Sequence, residues 1–259
     1  MEEQLWQACS DGKVEEVREL LQNPQININW QDPESKRTPF YRACGYSGNI
    51  EIVKLLLNDQ RVDVNKSQSK GATPFYIACQ KAHIEVVKLL LNDQRIDINK
   101  TQSEVATPFY IACFEGHLEI VKLLLNDERV DINQPTSDGF TPFLITCYKG
   151  HIEIVKLLLN DERVDINKAD NDGSTPFYIA CEKGQIEIVK LLLNDERFDI
   201  NQADIDGWTP LFIACFNGHT KVVELLLYDN RVDVNKANNN EATPFYIACE
   251  KGQIEIVKL

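Results

Sequence analysis

Thr175-Pro176-Phe177-Tyr178-Ile179-Ala180-Cys181, then Gly184, then Ile186-Glu187-Ile188-Val189-Lys190-Leu191-Leu192-Leu193, is the stretch that decides how this chain folds. Thr175 supplies an N-cap oxygen, and Pro176 fills the first helical position, where a missing N–H removes nothing. Gly184 breaks the first apolar run. The second run places Ile186, Val189, Leu192 and Leu193 at helical spacing. Helices of two or three turns are marginal alone, so neighbouring units must hold each one. Asp195-Glu196-Arg197-Phe198-Asp199-Ile200-Asn201 then leads to a turn at Asp206-Gly207. Asp138-Gly139 and Asp172-Gly173 suit the same tight, hairpin-like reversal.

The unit recurs. Cys9, Cys44, Cys79, Cys113, Cys147, Cys181, Cys215 and Cys249 stand 35 residues apart twice and 34 thereafter. Thr-Pro keeps the same phase at Thr38, Thr73, Thr107, Thr141, Thr175, Thr209 and Thr243. A period of this length means an array of supersecondary units and overrides the one or two globular domains that 259 residues would suggest.

Helix, helix, projecting turn resembles the ankyrin repeat. The residues that carry the resemblance are Thr-Pro at the first helix, Gly116-His117, Gly150-His151 and Gly218-His219 at the second, Ile-Val-Lys-Leu-Leu-Leu within it, and Val-Asp-Ile-Asn entering the finger. The Trp-x-x-Leu-Gly-x-x-Tyr pattern of the tetratricopeptide repeat is absent. The resemblance implies an all-α repeat solenoid of stacked helix-turn-helix units with projecting β-hairpin-like fingers. It implies one ankyrin-repeat domain over residues 1–259: an N-terminal capping repeat at 1–29, six full repeats at 30–235 and an incomplete repeat at 236–259. The last unit stops within its second helix without a polar cap, so the chain is expected to be the N-terminal part of a longer protein.

There are departures from the family pattern. Phe-Tyr mostly follows Thr-Pro where the family has Leu-His, so aromatic packing is expected to replace inter-repeat histidine bonds. The loop after the second helix reads Asn-Asp-Glu-Arg or Asn-Asp-Gln-Arg and lacks the usual glycine. Ala82 stands where other repeats have glycine, and the turn from Asn29 to Thr38 is one residue longer than its equivalents.

Forty acidic residues against 27 Lys plus Arg, a net charge of -13, argue against a nucleic-acid binder. No run approaches the ~18 apolar residues of a membrane span. Met1-Glu2-Glu3-Gln4-Leu5 carries acids where a secretory signal carries positive charge. Equivalent cysteines in stacked helices lie ~8–10 Å apart, beyond the roughly 7 Å a disulfide spans between Cα atoms. All eight are therefore expected as buried, reduced thiols, which suits the cytoplasm, with the nucleus as the alternative. The sequons Asn65-Lys66-Ser67 and Asn99-Lys100-Thr101 should then go unused.

Cys-x-x-x-His recurs, as at Cys79/His83 and Cys113/His117, but Asn49, Gln185 and Gln253 replace the histidine elsewhere. That exchange suits a polar cap rather than zinc ligation, so no metal and no cofactor are expected. Pairs such as Asp161-Glu162 and Asp195-Glu196 repeat in every loop and read as a solvated edge. No nucleophile elbow, phosphate loop or metalloprotease motif is present, so the reading is not an enzyme.

The informative residues break the period. Twelve aromatics follow Thr-Pro and are expected in the core: Phe40, Phe75, Phe109, Phe143, Phe177 and Phe245, then Tyr41, Tyr76, Tyr110, Tyr178, Phe212 and Tyr246. Phe140 and Trp208 instead precede Thr-Pro on a finger, and Tyr46, Phe114, Tyr148 and Phe216 end a first helix. In the family both places line the concave groove. The partner-binding set is therefore expected to be Phe114, Phe140, Tyr148, Ile205, Trp208 and Phe216, because aromatics are favoured interface anchors. The opposing reading is that they stiffen neighbouring fingers. Truncating Trp208 and Phe140 should separate the two, abolishing capture at nearly unchanged melting if they bind a partner.

The expected function is a monomeric, non-catalytic scaffold that captures a protein partner, with a basic segment favoured by the acidic charge. Two alternatives stand beside it: the regulatory or targeting part of a larger enzyme, channel or ubiquitin-ligase component, and a spacer without specific ligand. Asn133, Asn167 and Asn201 also resemble asparagines that hydroxylases modify in this family, against the plainer reading of a side chain that bonds its own turn.

Overall fold

A computed structural model describes residues 1–103 and 105–259. The chain forms two compact units, Met1–Gln134 and Pro135–Leu259. The first contains α1 (Glu2–Asp11), α2 (Val14–Leu21), α3 (Pro39–Arg42), α4 (Ile50–Asn58), α5 (Pro74–Gln80), α6 (Ile84–Leu91), α7 (Pro108–Glu115) and α8 (Leu118–Leu125). The second contains α9 (Pro142–Lys149), α10 (Ile152–Leu159), α11 (Pro176–Glu182), α12 (Ile186–Leu193), α13 (Pro210–Asn217), α14 (Thr220–Leu227), α15 (Pro244–Glu250) and α16 (Ile254–Val257). Each unit is a stack of helix pairs, first helix on first helix and second on second, as when α11 packs on α9 and α13, and α12 on α10 and α14. This is an all-α repeat solenoid. Among the described residues the β content is one isolated bridge, Gln102 to Ala106.

All seven Thr-Pro pairs start helices as their chemistry dictates. Each threonine Oγ1 accepts the N–H three residues on at 3.0–3.2 Å. The phenylalanine after proline is buried in α3, α5, α7, α9 and α11, and the cysteines from Cys9 to Cys215 are buried and unpaired. On α12 the buried stripe is Ile188, Val189 and Leu192, whereas Ile186 and Leu193 are only half-buried. The helix begins at Ile186 itself, so that side chain sits at the edge of the face.

The last pair departs from the expected core. Phe245 and Tyr246 are 62% and 56% exposed, and Cys249 is exposed too, because among the described residues no helix pair covers the face that α11 and α13 bury.

Two ladders of side chains link successive repeats. In the first, Arg197 grips Asp195 through Nε and Nη2 while Nη2 also donates to the Leu159 carbonyl of the preceding repeat at 3.0 Å. Arg95 reaches Leu57, Arg129 reaches Leu91 and Arg231 reaches Leu193 in the same way. The final turn of a helix leaves carbonyls without intrahelical partners, and glycine caps usually satisfy them. Here the next repeat's arginine does so, which accounts for the missing loop glycine. The loop acids are thus only half a solvated edge: Asp161 and Asp195 are held, while Glu162 and Glu196 are exposed.

In the second ladder Asn201 Nδ2 donates to the Arg231 carbonyl at 2.7 Å and its Oδ1 accepts from the Asp233 N–H at 2.8 Å. Asn65 and Asn99, the two sequon asparagines, make the same pair of bonds, and Asn167 donates to Arg197. The expectation that such side chains bond their own turn is therefore corrected for Asn167 and Asn201: they bond the next repeat. The Asn133 backbone N–H donates to Asp131 Oδ1 at 3.1 Å.

The histidines are corrected similarly. His83, His117 and His219 precede their helices without capping them; each Nε2 instead meets a carbonyl of the preceding repeat, at Gly45, Gln80 and Glu182, at 3.4, 2.9 and 2.8 Å. Asn49 does cap, accepting from Glu51 and Ile52. The second repeat-sized interval, Cys44 to Cys79, holds an extra residue besides that of the finger: Ala43–Ser47 form a π-helical turn that absorbs it.

Each finger is a reversal closed by one backbone rung, such as Asp170 N to Ser174 O and Asp204 N to Trp208 O. Neighbouring fingers of the second unit are joined by Asn171 N to Asp138 O, Ile205 N to Asp172 O and Asn239 N to Asp206 O. Gly139 permits the approach. Its φ is +86°, and a Cβ there would lie 2.6 Å from the Asn171 nitrogen.

Candidate functional site

The second unit brings five of the six expected residues together as two aromatic pairs and an exposed aliphatic. Phe140, on a finger, meets Tyr148, at the end of α9, edge to face at 6.2 Å. Trp208, on the finger two repeats later, lies 5.1 Å from Phe216 at the end of α13 and 5.0 Å from buried Phe212. All four are half-buried, and Ile205 is 64% exposed. Each pair joins the finger of a repeat to the first helix of the same repeat, so rigid elements hold both rings. Phe114 belongs to the first unit, where it is half-buried at the end of α7, 6.5 Å from Tyr110.

Cations rest on these rings. Lys183 Nζ sits 4.5 Å from the Tyr148 centroid and pairs with Glu182 at 3.3 Å. Lys251 Nζ sits 4.4 Å from the centroid of Phe216. In the first unit, Arg42 stacks between Trp6 and Tyr46, at 4.3 and 3.7 Å, and bonds Ser10. A ring face carries negative quadrupole charge, which explains all four contacts.

Between Phe140–Tyr148 and Ile205 lies a notch of about 430 Å³ whose remaining wall is mainly acidic: Asp170, Asp172, Glu182, Asp204 and Asp206. Sequence reasoning missed these acids because each belongs to a repeated turn or helix end and looked periodic. Asp170 and Asp204 occupy equivalent finger positions. Each Oδ1 accepts two backbone N–H groups of its own turn: Asp172 and Ser174 for Asp170, Asp206 and Trp208 for Asp204. Their other oxygens differ. Asp204 Oδ2 accepts the Tyr178 hydroxyl at 2.9 Å, an inter-repeat bond made where aromatic packing alone was expected. The residue that would serve Asp170 is Leu144, which has no hydroxyl. Burial raises the Asp170 pKa above the usual carboxylate value, with the Asp172 and Glu182 charges adding to it against two backbone hydrogen bonds. Burial likewise lifts the Tyr178 phenol, and the Asp204 carboxylate lifts it further. Leu144, the single non-aromatic in its column, was the available signal.

Burial pushes the buried thiols up, Cys215 to about 12, so they are not poised as nucleophiles. Among the described residues no three His, Cys, Asp or Glu side chains converge as metal ligands, and no helix is long and apolar enough to cross a membrane.

Comparison with known proteins fits this architecture. A family model described as "Ankyrin repeats (3 copies)" matches residues 5–102, 60–136, 109–204 and 196–259. The chain is also 36% identical over 79 residues to the SMC5-SMC6 complex localization factor protein 1 of Homo sapiens, a match that covers 30% of this chain and 7% of that protein. Matched family repeats from residue 5 to residue 259, capped helix pairs and inter-repeat ladders lead to one conclusion: the chain belongs to the ankyrin-repeat family.

Proposed function

We propose that this chain is a non-catalytic interaction module that captures a protein partner on the second-unit surface formed by Phe140, Tyr148, Ile205, Trp208 and Phe216; Phe114, on the first unit, is proposed as a separate partner contact. Ankyrin repeats are in general protein-protein interaction modules, and this reading gives that general role a place. The observation that supports it is the pair of half-exposed aromatic clusters flanking an exposed Ile205, at columns where several other repeats hold small or polar residues. Recognition is by shape and anchor residues on a preset scaffold, which lowers the ordering cost of binding. The reduced thiols suit the cytoplasm or the nucleus.

The test follows from the packing. Trp208 rests on buried Phe212, so its truncation lowers stability as well as binding and discriminates poorly. Ile205→Asp combined with Tyr148→Ala alters the exposed surface instead. Affinity capture from the native source with the intact chain and with this variant, at matched melting temperature, is expected to lose the partner with the variant. Undiminished capture overturns the reading, and a chain that captures nothing specific is a spacer.

A targeting role within a larger assembly is the second reading. It draws on the similar human protein, which is named as a complex localization factor and of which the match spans 7%.

A further inference from the structure

Resting on that interaction surface, we propose that the notch between the Phe140–Tyr148 pair and Ile205 seats an arginine side chain from an extended basic segment of the partner protein. Charge complementarity carries the choice of occupant: five carboxylates line the notch, and among the described lining residues the one ammonium is Lys183. The aromatic wall adds a second requirement that a simple cation does not meet. Tyr148 already holds the Lys183 ammonium over its face at 4.5 Å, and the equivalent ring at Phe216 holds Lys251 at 4.4 Å. These in-chain cations mark the seats. Lys183 sits on a flexible stem, so an incoming guanidinium displaces it and stacks on the ring as a plane, while its fork of N–H donors reaches a carboxylate; lysine offers neither plane nor fork.

The carboxylate it reaches is Asp170. Asp204, one repeat on, has its Oδ2 occupied by the Tyr178 hydroxyl, whereas Leu144 leaves the Asp170 Oδ2 without a side-chain donor among the described residues. Burial raises the pKa of Asp170, and the neighbouring Asp172 and Glu182 charges add to it. The fingers need no rearrangement to receive the segment, because Ile205 N already bonds Asp172 O at 3.0 Å and fixes one against the next.

The sequence contains its own control. Asn238 occupies the equivalent position two fingers on from Asp170, and its Oδ1 accepts from Asn240 and Ala242 as Asp170 accepts from Asp172 and Ser174. Asp170→Asn therefore removes the charge and keeps the turn. Leu144→Tyr supplies Asp170 with the hydroxyl that Asp204 has and closes the seat from inside.

The experiment is NMR titration of the full ¹⁵N-labelled chain with acetyl-Gly-Lys-Gly-Arg-Gly-Lys-Gly-amide and with the same peptide carrying citrulline for arginine. Shifts at Asp170, Asp172 and Ile205 are expected with the arginine peptide. Citrulline, Asp170→Asn and Leu144→Tyr should each weaken binding roughly tenfold, the loss of one charge-assisted contact, and Asp204→Asn by less than about threefold. Equal binding of both peptides, equal losses for Asp170→Asn and Asp204→Asn, or shifts spread over the loop acids Asp161 and Asp195 would each overturn the arginine seat. None of those results touches the broader surface, which stands or falls on partner capture by the Ile205→Asp/Tyr148→Ala variant.

Discussion

Arg197→Ala tests the idea that arginine has replaced the glycine cap in this array. The guanidinium makes two kinds of contact: an ion pair to Asp195, with Nη2 to Oδ2 at 2.6 Å, and a hydrogen bond to the Leu159 carbonyl at 3.0 Å. The arginine side chain is 49% exposed, so the ion pair contributes only about 0.2–1 kcal/mol. A hydrogen bond from a charged donor to a carbonyl contributes about 1 kcal/mol, and water partly re-satisfies that carbonyl once the arginine is gone. The expected loss is therefore about 1 kcal/mol, or a fall in Tm of about 2–4 °C for a chain of this size. Thermal melting followed by far-UV circular dichroism and by tryptophan fluorescence gives the number, provided the two probes report one transition. Arg197→Lys keeps the charge but cannot hold a carboxylate and a carbonyl with one planar group, so it should recover less than half. An unchanged Tm for Arg197→Ala, or full recovery by lysine, refutes the capping role and reduces the residue to a surface charge.

Four other outcomes follow from the same contacts. Asp59, Asp93, Asp127, Asp161, Asp195 and Asp229 are held below the usual carboxylate range, first by hydrogen bonds from the arginine two residues on. Their folded pKa values are depressed, so the stability they add is complete above the unfolded value of about 3.9 and is lost as pH falls through the folded values. Melting should hold steady above about pH 5 and drop below pH 4, less steeply when all six are asparagine. Asn201→Asp puts a carboxylate against the Arg231 carbonyl and should cost about 1–3 kcal/mol at pH 7 in urea denaturation, with recovery at low pH. Gly139→Ala forces a side chain into positive φ and against the Asn171 nitrogen; about 1–3 kcal/mol and faster hydrogen exchange at Asn171 are expected. With an aromatic disulfide reagent in native buffer, Cys249 alone of the eight thiols should react quickly, and more than one fast thiol would contradict the burial of the other seven.

The fold was legible because each instruction is local and repeated. Thr-Pro needs only its own helix to act as cap and first residue, and it did so at all seven positions. What was illegible depends on the neighbouring repeat. His117 looks like a cap in sequence because it precedes a helix, but its ring reaches a carbonyl 37 residues back. Asn201 looks like a turn residue, but its amide bridges 30 residues forward. Of the site, the aromatic pairs were legible as breaks in the period, and Ile205 beside them. The acidic wall was not, because Asp170 and Asp204 are alike in sequence and differ only through Leu144 and Tyr178, residues of the preceding helices.

That last contrast shows how a periodic protein can acquire a specific site at little structural cost. Arg197 and Asn201 spend their hydrogen bonds on the next repeat or the previous one, so changing them breaks the stack. The finger base and the first-helix end bear less of that duty: Arg37, Ala72, Ala106 and Ser174 all fill the column of Phe140 and Trp208 without altering the fold. Variation is therefore tolerated where it alters the exposed surface and resisted where repeats are joined. Leu144 lies between the two cases. It is fully buried, as Tyr41, Tyr76, Tyr110, Tyr178 and Phe212 are buried, so the core keeps its apolar contact, but it removes a hydroxyl from an acid one finger away. A single core substitution can thereby turn a structural carboxylate into a binding one, which is why Leu144→Tyr, rather than any surface change, is the sharpest way to close the notch and leave the array intact.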